Sequence, residues 1–272
     1  MLYFCVALYP EAAPVLSSFG MKSAGGRIGS LYRSDEAILV LTGSGSVTAS
    51  AALAEALTLF PPSANDLLIN LGICGAPSGF CPAGSWFRIH KITDSATGRD
   101  FYPELLFTTS FPEAALTTTG VPASSPASLT DMEAAGIFLT GQSFFPPERM
   151  LFYKSVSDFG VAEGERLTPA NVTALVERAL PDILADAVVL RDSLSSAPVL
   201  SEASGQAVSE MVRRLDASAA MEHEIRLLAS YRTFRQDDAA AKIMAFLAAV
   251  PEPVTRREGK KLLEQFRNEC LA

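Results

Sequence analysis

Over its first two hundred residues the chain alternates short apolar runs with longer amphipathic stretches, the pattern of strands alternating with helices. Strands are predicted at Leu2–Leu8, Ala37–Thr42, Leu67–Leu71, Trp86–Ile92 and Met150–Val156, with a weaker one at Leu105–Thr108. Most are continuous apolar runs, as expected of a central sheet covered on both faces. Helices are predicted at Pro10–Phe19, Val47–Phe60, Asp131–Phe144 and Pro169–Leu194. Thr168 suits the N-cap of the last of these, with Pro169 at its first position. This part reads as a three-layer α/β domain over residues 1–197. After Ser195-Ser196-Ala197-Pro198 the strand-like runs stop, and residues 198–272 read as a helical extension. Thr255 and Glu258 have capping-box spacing at the start of its last helix.

Composition agrees with a folded, water-soluble chain. Of 272 residues, 49% are hydrophobic and 19% charged, enough to bury a large core and too little charge for disorder. The formal net charge is −8, and it lies entirely in the first part: 11 basic and 19 acidic residues before position 200, 11 of each after it. An acidic domain disfavours unspecific nucleic-acid binding and suits a small neutral or cationic ligand. The basic pairs Arg213-Arg214, Arg256-Arg257 and Lys260-Lys261 read first as solvated helix faces and second as a partner surface. The apolar start, Met1 to Pro10, has no leading Lys or Arg and closes before signal-peptide or membrane length, so a cytoplasmic location and no membrane association are expected. Cys5, Cys74, Cys81 and Cys270 lack CxxC spacing and read as reduced thiols, a Cys74–Cys81 bridge being the other option. His90 and His223 stand far apart, so no metal site is expected.

Four segments could carry chemistry. Gly43-Ser44-Gly45 ends a strand and opens a helix, where glycines let the backbone approach a ligand. It also reads as a plain tight turn, and it is no dinucleotide fingerprint, since the third glycine position is Thr48. Gly72-Ile73-Cys74-Gly75 closes a second strand, and ligands of open α/β sheets sit at such strand ends. Met132-Glu133-Ala134 opens a helix, although Thr130 and Glu133 could be nothing more than its capping box. Ser157-Asp158 ends a strand, and Asp158 alone could be a loop-capping carboxylate.

Taken in order with Pro10-Glu11 after the first strand, these segments resemble the nucleoside phosphorylase family, nearest to its 5'-methylthioadenosine/S-adenosylhomocysteine nucleosidases. The likeness spans about residues 1–194 and rests mainly on Met132-Glu133-Ala134 followed by Ser157-Asp158. It implies cleavage of a purine N-glycosidic bond. Asp158 would donate a proton to the base with Ser157 orienting it, Glu133 would hold the ribose hydroxyls with Met132 packed on the sugar, and Glu11 would activate water. Gly43, Ser44, Gly45, Gly72, Cys74 and Gly75 would line the substrate. The resemblance also implies a homo-oligomer whose sites borrow residues from a neighbour, and no organic cofactor.

The sequence departs from the family in several places. Lys154 stands where the nucleosidases usually carry Arg, and Ser85 follows Gly84 where they carry Asp. The ring that stacks on the base cannot be assigned among Phe80, Phe101 and Tyr102. Phosphorylases add arginines to the glycine loop, and here Arg27, Arg33 or Arg88 could reach it only through folding. Hydrolysis is therefore expected ahead of phosphorolysis, in which inorganic phosphate would be a co-substrate. A third reading is a catalytically silent nucleoside-binding module whose helical tail, 198–272, binds a protein partner.

Overall fold

In a computed structural model, residues 1–103, 106–123, 126–160, 168–195, 200–234, 237–251 and 254–271 are described. The strands are β1 (Leu2–Val6), β2 (Lys22–Gly25), β3 (Ser30–Arg33), β4 (Ala37–Leu41), β5 (Leu67–Gly75), β6 (Trp86–Asp94), β7 (Arg99–Phe101), β8 (Glu113–Thr118), β9 (Leu129–Asp131) and β10 (Met150–Asp158). The helices are α1 (Tyr9–Ser18), α2 (Ser46–Leu59), α3 (Ala134–Gly141), α4 (Pro169–Ser195), α5 (Glu202–Arg214), α6 (Ala219–Phe234), α7 (Ala239–Ala248) and α8 (Arg256–Leu271). The chain divides into two compact units, Met1–Arg191 and Asp192–Ala272. The sequence pattern breaks after α4, whereas the contacts divide the chain within that helix's final turn.

In the first unit, β4, β1, β5 and β10 lie side by side and parallel, the arrangement their unbroken apolar runs demand. Beyond β5 the sheet curls. β10 runs antiparallel to β6, β6 parallel to β8, β8 parallel to β9, and β9 returns to β5 through the pair Gly75–Thr130. The ten-stranded mixed sheet thus contains a closed ring of β5, β10, β6, β8 and β9, whose rim collects strand ends. Apolar side chains of α2 and α3 pack on it with β1, β4 and β10.

Three differences from the sequence pattern have physical causes. Among the described residues 106–108 form no strand (Leu105 lies outside them), and the strand of that region is Glu113–Thr118. Its threonines and single leucine hide an inward-facing alternation that acquires meaning only between β6 and β9. The β2–β3 hairpin is largely polar and solvent-facing at the sheet edge, so it has no apolar signature. The helix expected from Asp131 begins at Ala134, because Asp131 still belongs to β9.

The second unit is built from α5 to α8 around Val208, Met211, Leu215, Ile225, Ile243, Leu263 and Phe266. Gly259 is required where α8 meets α5: a Cβ there would lie 2.0 Å from the Leu215 carbonyl oxygen. The capping box expected at α8 forms, the Thr255 amide donating to Glu258 at 2.9 Å and the Glu258 amide to Thr255 Oγ1 at 3.4 Å. All four cysteines are free thiols.

Candidate active site

The ends of β1, β4, β5, β8, β9 and β10 and the starts of α1, α2 and α3 surround a cavity of about 410 Å³ in the first unit. Glu11, Ser44, Cys74, Gly75, Met132, Glu133, Ser157 and Asp158 all line it. Glu11 and Asp158, 147 positions apart in the chain, therefore meet at one place. Gly43, Gly45 and Gly72, expected to line the substrate, do not line the cavity; Gly45 and Gly72 meet the lining residues Glu133 and Glu11.

Glu11 is almost fully buried at the N3 position of α1. Its carboxylate accepts the Leu8 amide at 2.7 Å and, across to β5, the Ile73 amide at 2.8 Å. Gly72 makes this reach feasible, since a Cβ there would sit 2.9 Å from Glu11 Oε1. Burial pushes the Glu11 carboxyl up to about 7, with the Glu133 charge adding to the rise, against the lowering effect of the two amides and Lys154.

Glu133 occupies the N-cap position of α3, yet its side chain does not cap that helix. The expected Thr130–Glu133 capping box is absent because Thr130 is a β9 residue, and others do the capping. Asp131 accepts the Ala134 amide at 2.9 Å and Thr118, from β8, accepts the Ala135 amide at 3.0 Å. The Glu133 carboxylate is thus released to the cavity, where it accepts the Gly45 amide at 2.8 Å and the Met132 amide at 3.3 Å. Gly45 sits at φ 104°, a region that favours glycine, and this turn aims its amide. Gly136 brings α3 onto α2: a Cβ there would lie 2.4 Å from the Ser46 carbonyl oxygen. Burial raises the Glu133 carboxyl, opposed by Lys154 and assisted by Asp131.

A β-bulge presents Ser157 and Asp158 together. β10 follows β5 in register up to Val156–Cys74, then resumes at Asp158–Gly75, so Ser157 is the extra residue. Neighbouring strand residues ordinarily face opposite ways, and the bulge lets both line one cavity. Ser157 Oγ lies 2.8 Å from Asp158 Oδ2 and 3.1 Å from the Cys74 carbonyl oxygen, while the Gly160 amide donates to Asp158 Oδ1 at 3.1 Å. The lack of a side chain at Gly75 leaves room for this carboxylate.

The remaining wall is Ala7, Leu8, Ile73, Thr119, Pro122, Ala123, Thr130 and Asp131. The residues from 119 to 123 gave no signal in the sequence, because only the β8–β9 pairing carries them to the rim. Phe101 is buried against Phe138, Phe80 packs on Phe87 and Tyr102 is exposed; none of the three lines the cavity. Among the described residues no lysine or arginine lines it either. Arg88 is buried with its guanidinium over the Phe107 ring, Arg33 lies over Phe60, and the Arg27 amide is held by Glu55. Behind the wall Lys154, also buried, pairs with Asp131 at 2.9 Å. Among the described residues no group of three His, Cys, Asp or Glu side chains is arranged to hold a metal ion, and no helix is long and apolar enough to cross a membrane.

No protein-family model and no curated protein matches the chain by sequence. Solved structures do. The apo form of Arabidopsis thaliana 5'-methylthioadenosine nucleosidase superposes with a TM-score of 0.57 at 19% identity, covering 70% of this chain and 95% of that one. The Chlamydia trachomatis nucleosidase bound to MTA gives 0.54 at 21% identity, covering 68% and 97%. The Helicobacter pylori 5'-methylthioadenosine/S-adenosylhomocysteine nucleosidase with butyl-thio-DADMe-Immucillin-A gives 0.54 at 15%, covering 69% and 97%. With its curled mixed sheet and its rim of strand ends, the chain has the nucleoside-phosphorylase-like fold of the methylthioadenosine nucleosidases.

Proposed function

We propose that the protein hydrolyses the N-glycosidic bond of a purine nucleoside. The observation that carries this reading is the meeting of Glu11, Glu133 and the Ser157–Asp158 pair around one cavity of nucleoside size. The nucleosidase names borne by structures of the same fold support it.

Breaking the C1'–N9 bond sends its electron pair into the base and leaves oxocarbenium character on the ribose. Asp158 donates a proton to the purine N7 edge, accepting that electron pair's charge. Ser157, beside it at 2.8 Å, sets the rotamer of its carboxyl group. Glu133 accepts hydrogen bonds from ribose hydroxyls, and its negative charge favours the cationic transition state over the neutral ground state. Met132 packs on the sugar. A water molecule then bonds to C1', and its proton passes to Glu11, whose carboxyl near 7 is matched to a base working at neutral pH. The products are free base and ribose derivative, and the scheme requires no organic cofactor.

The cavity wall also bears on the choice of nucleophile and substrate. Glu11, Asp131, Glu133 and Asp158 supply carboxylates while no described lysine or arginine lines the cavity, a poor setting for phosphate either as nucleophile or as a 5' substituent. Water and an uncharged or cationic nucleoside fit it.

The test is to incubate the purified protein with purine and pyrimidine nucleosides, including methylthioadenosine and S-adenosylhomocysteine, and follow free base by chromatography with and without phosphate. Base release independent of phosphate is expected, and Asp158→Asn should lower it by about 10²- to 10⁴-fold with the fold intact. Release that depends on phosphate would replace hydrolysis by phosphorolysis. Tight binding of an analogue without any release would favour a silent nucleoside-binding module.

A further inference from the structure

Lys154 reaches none of the cavity surface, yet it is the cation buried deepest beside it. It lies on β10 with Gly72 of β5 as its register partner. Its ammonium pairs with Asp131 Oδ2 at 2.9 Å, both side chains being at most 3% exposed. Asp131 is tied on every side: the same Oδ2 accepts the Ala134 amide at 2.9 Å, and Oδ1 accepts Thr118 Oγ1 at 2.7 Å. Thr118 in turn accepts the Ala135 amide. The first turn of α3, which begins immediately after Glu133, therefore hangs on a buried Lys154–Asp131–Thr118 chain, of which only Asp131 lines the cavity.

We propose that Lys154 is a positioning residue: through Asp131 it fixes the start of α3, and so the Glu133 carboxylate, while its charge balances the surplus of carboxylates around the cavity. The inference rests on the reading of Glu133 and Glu11 as working groups of a nucleosidase. The groups that face Lys154 are Glu11 of α1, Asp131 of β9, Glu133 before α3, and the thiols of Cys5 on β1 and Cys74 on β5. Burial raises both thiols, so they are uncharged at neutral pH. Burial works to strip the proton from Lys154, and the attraction of Asp131, Glu133 and Glu11 more than reverses it, holding the ammonium above the usual lysine range. A single cation thus serves three carboxylates, and its charge reaches Glu11 as well as Glu133.

This geometry separates a mechanical from an electrostatic contribution. Lys154→Met removes both, Lys154→Arg keeps the charge, and Thr118→Val loosens Asp131 without changing any charge. Carboxyl ¹³C NMR of glutamate-labelled protein reads the Glu11 midpoint without requiring turnover. Lys154→Met is expected to move that midpoint upward by about one pH unit and to raise KM for the cleaved nucleoside about tenfold. Lys154→Arg should restore the midpoint. Thr118→Val should raise KM to a similar degree with the midpoint unmoved. A folded Lys154→Met protein with the wild-type midpoint and KM overturns the proposal. If that variant does not fold, an unchanged KM in Thr118→Val overturns the positioning role. Absence of nucleoside cleavage by the wild-type protein would count against the proposed reaction instead, and the NMR comparison would still decide the charge-balancing part.

Discussion

Replacing Glu11 by Gln tests whether the buried carboxyl is a working base held at a cost to stability. Folding takes the carboxyl from its ordinary value near 4.5 to about 7, chiefly because burial disfavours the charged form. The folded state therefore binds this proton more tightly than the unfolded state, and stability falls as pH rises from the unfolded value through the folded one. Two and a half pH units correspond to about 3 kcal/mol, lost between roughly pH 4 and pH 8 and constant above that. Gln cannot ionise, so its stability curve lacks this slope. It also offers one acceptor where Glu11 offers two to the Leu8 and Ile73 amides, which subtracts a pH-independent amount of about 1–3 kcal/mol. The slope and the offset are separable. Urea unfolding of both proteins at half-unit steps from pH 4 to 8 should show the wild-type losing about 3 kcal/mol relative to Glu11→Gln. In parallel, base release should fall sharply in the variant, and wild-type kcat/KM should decline on the acid side of about pH 7 as Glu11 takes up its proton. Stability curves that run parallel across the range would refute a raised Glu11 carboxyl, and with it this account of the base.

Other changes test separate parts of the structure. Glu133→Gln keeps an acceptor for the Gly45 amide and loses the charge, so kcat/KM in the base-release assay should drop about a hundredfold with little change in melting temperature. Gly136→Ala forces a Cβ to within 2.4 Å of the Ser46 carbonyl oxygen. It should destabilise the protein by about 1–3 kcal/mol in urea unfolding, and raise KM because α3 carries Glu133 away from Gly45. Thr255→Ala removes half of the α8 capping box and should cost about 1 kcal/mol, seen as faster hydrogen exchange of the first α8 amides.

Much of the site was legible along the chain. Apolar runs marked the strands, and functional side chains of such sheets gather where strands end. Glu11, Ser44, Cys74 and Asp158 each follow or end such a run, Glu133 opens a predicted helix, and they meet at one cavity. The Thr255–Glu258 box was equally readable, because its partners are three residues apart.

What escaped was set by partners distant in the chain. Thr118 and Asp131 cap α3 from two other strands, so no local motif distinguishes Glu133 as a cap from Glu133 as a free carboxylate. The bulge at Ser157 exists only relative to the register of β5. The wall at Thr119, Pro122 and Ala123 has neither periodicity nor chemistry until β8 lies between β6 and β9. The sequence by itself determined the apolar strands β1, β4, β5, β6 and β10, the helices and which carboxylates stand near their ends, since apolar periodicity and turn residues act over a few positions. Only the tertiary structure decided which carboxylates are buried, which amides hold them and which one receives the lysine, because desolvation and charge pairing depend on distance through space.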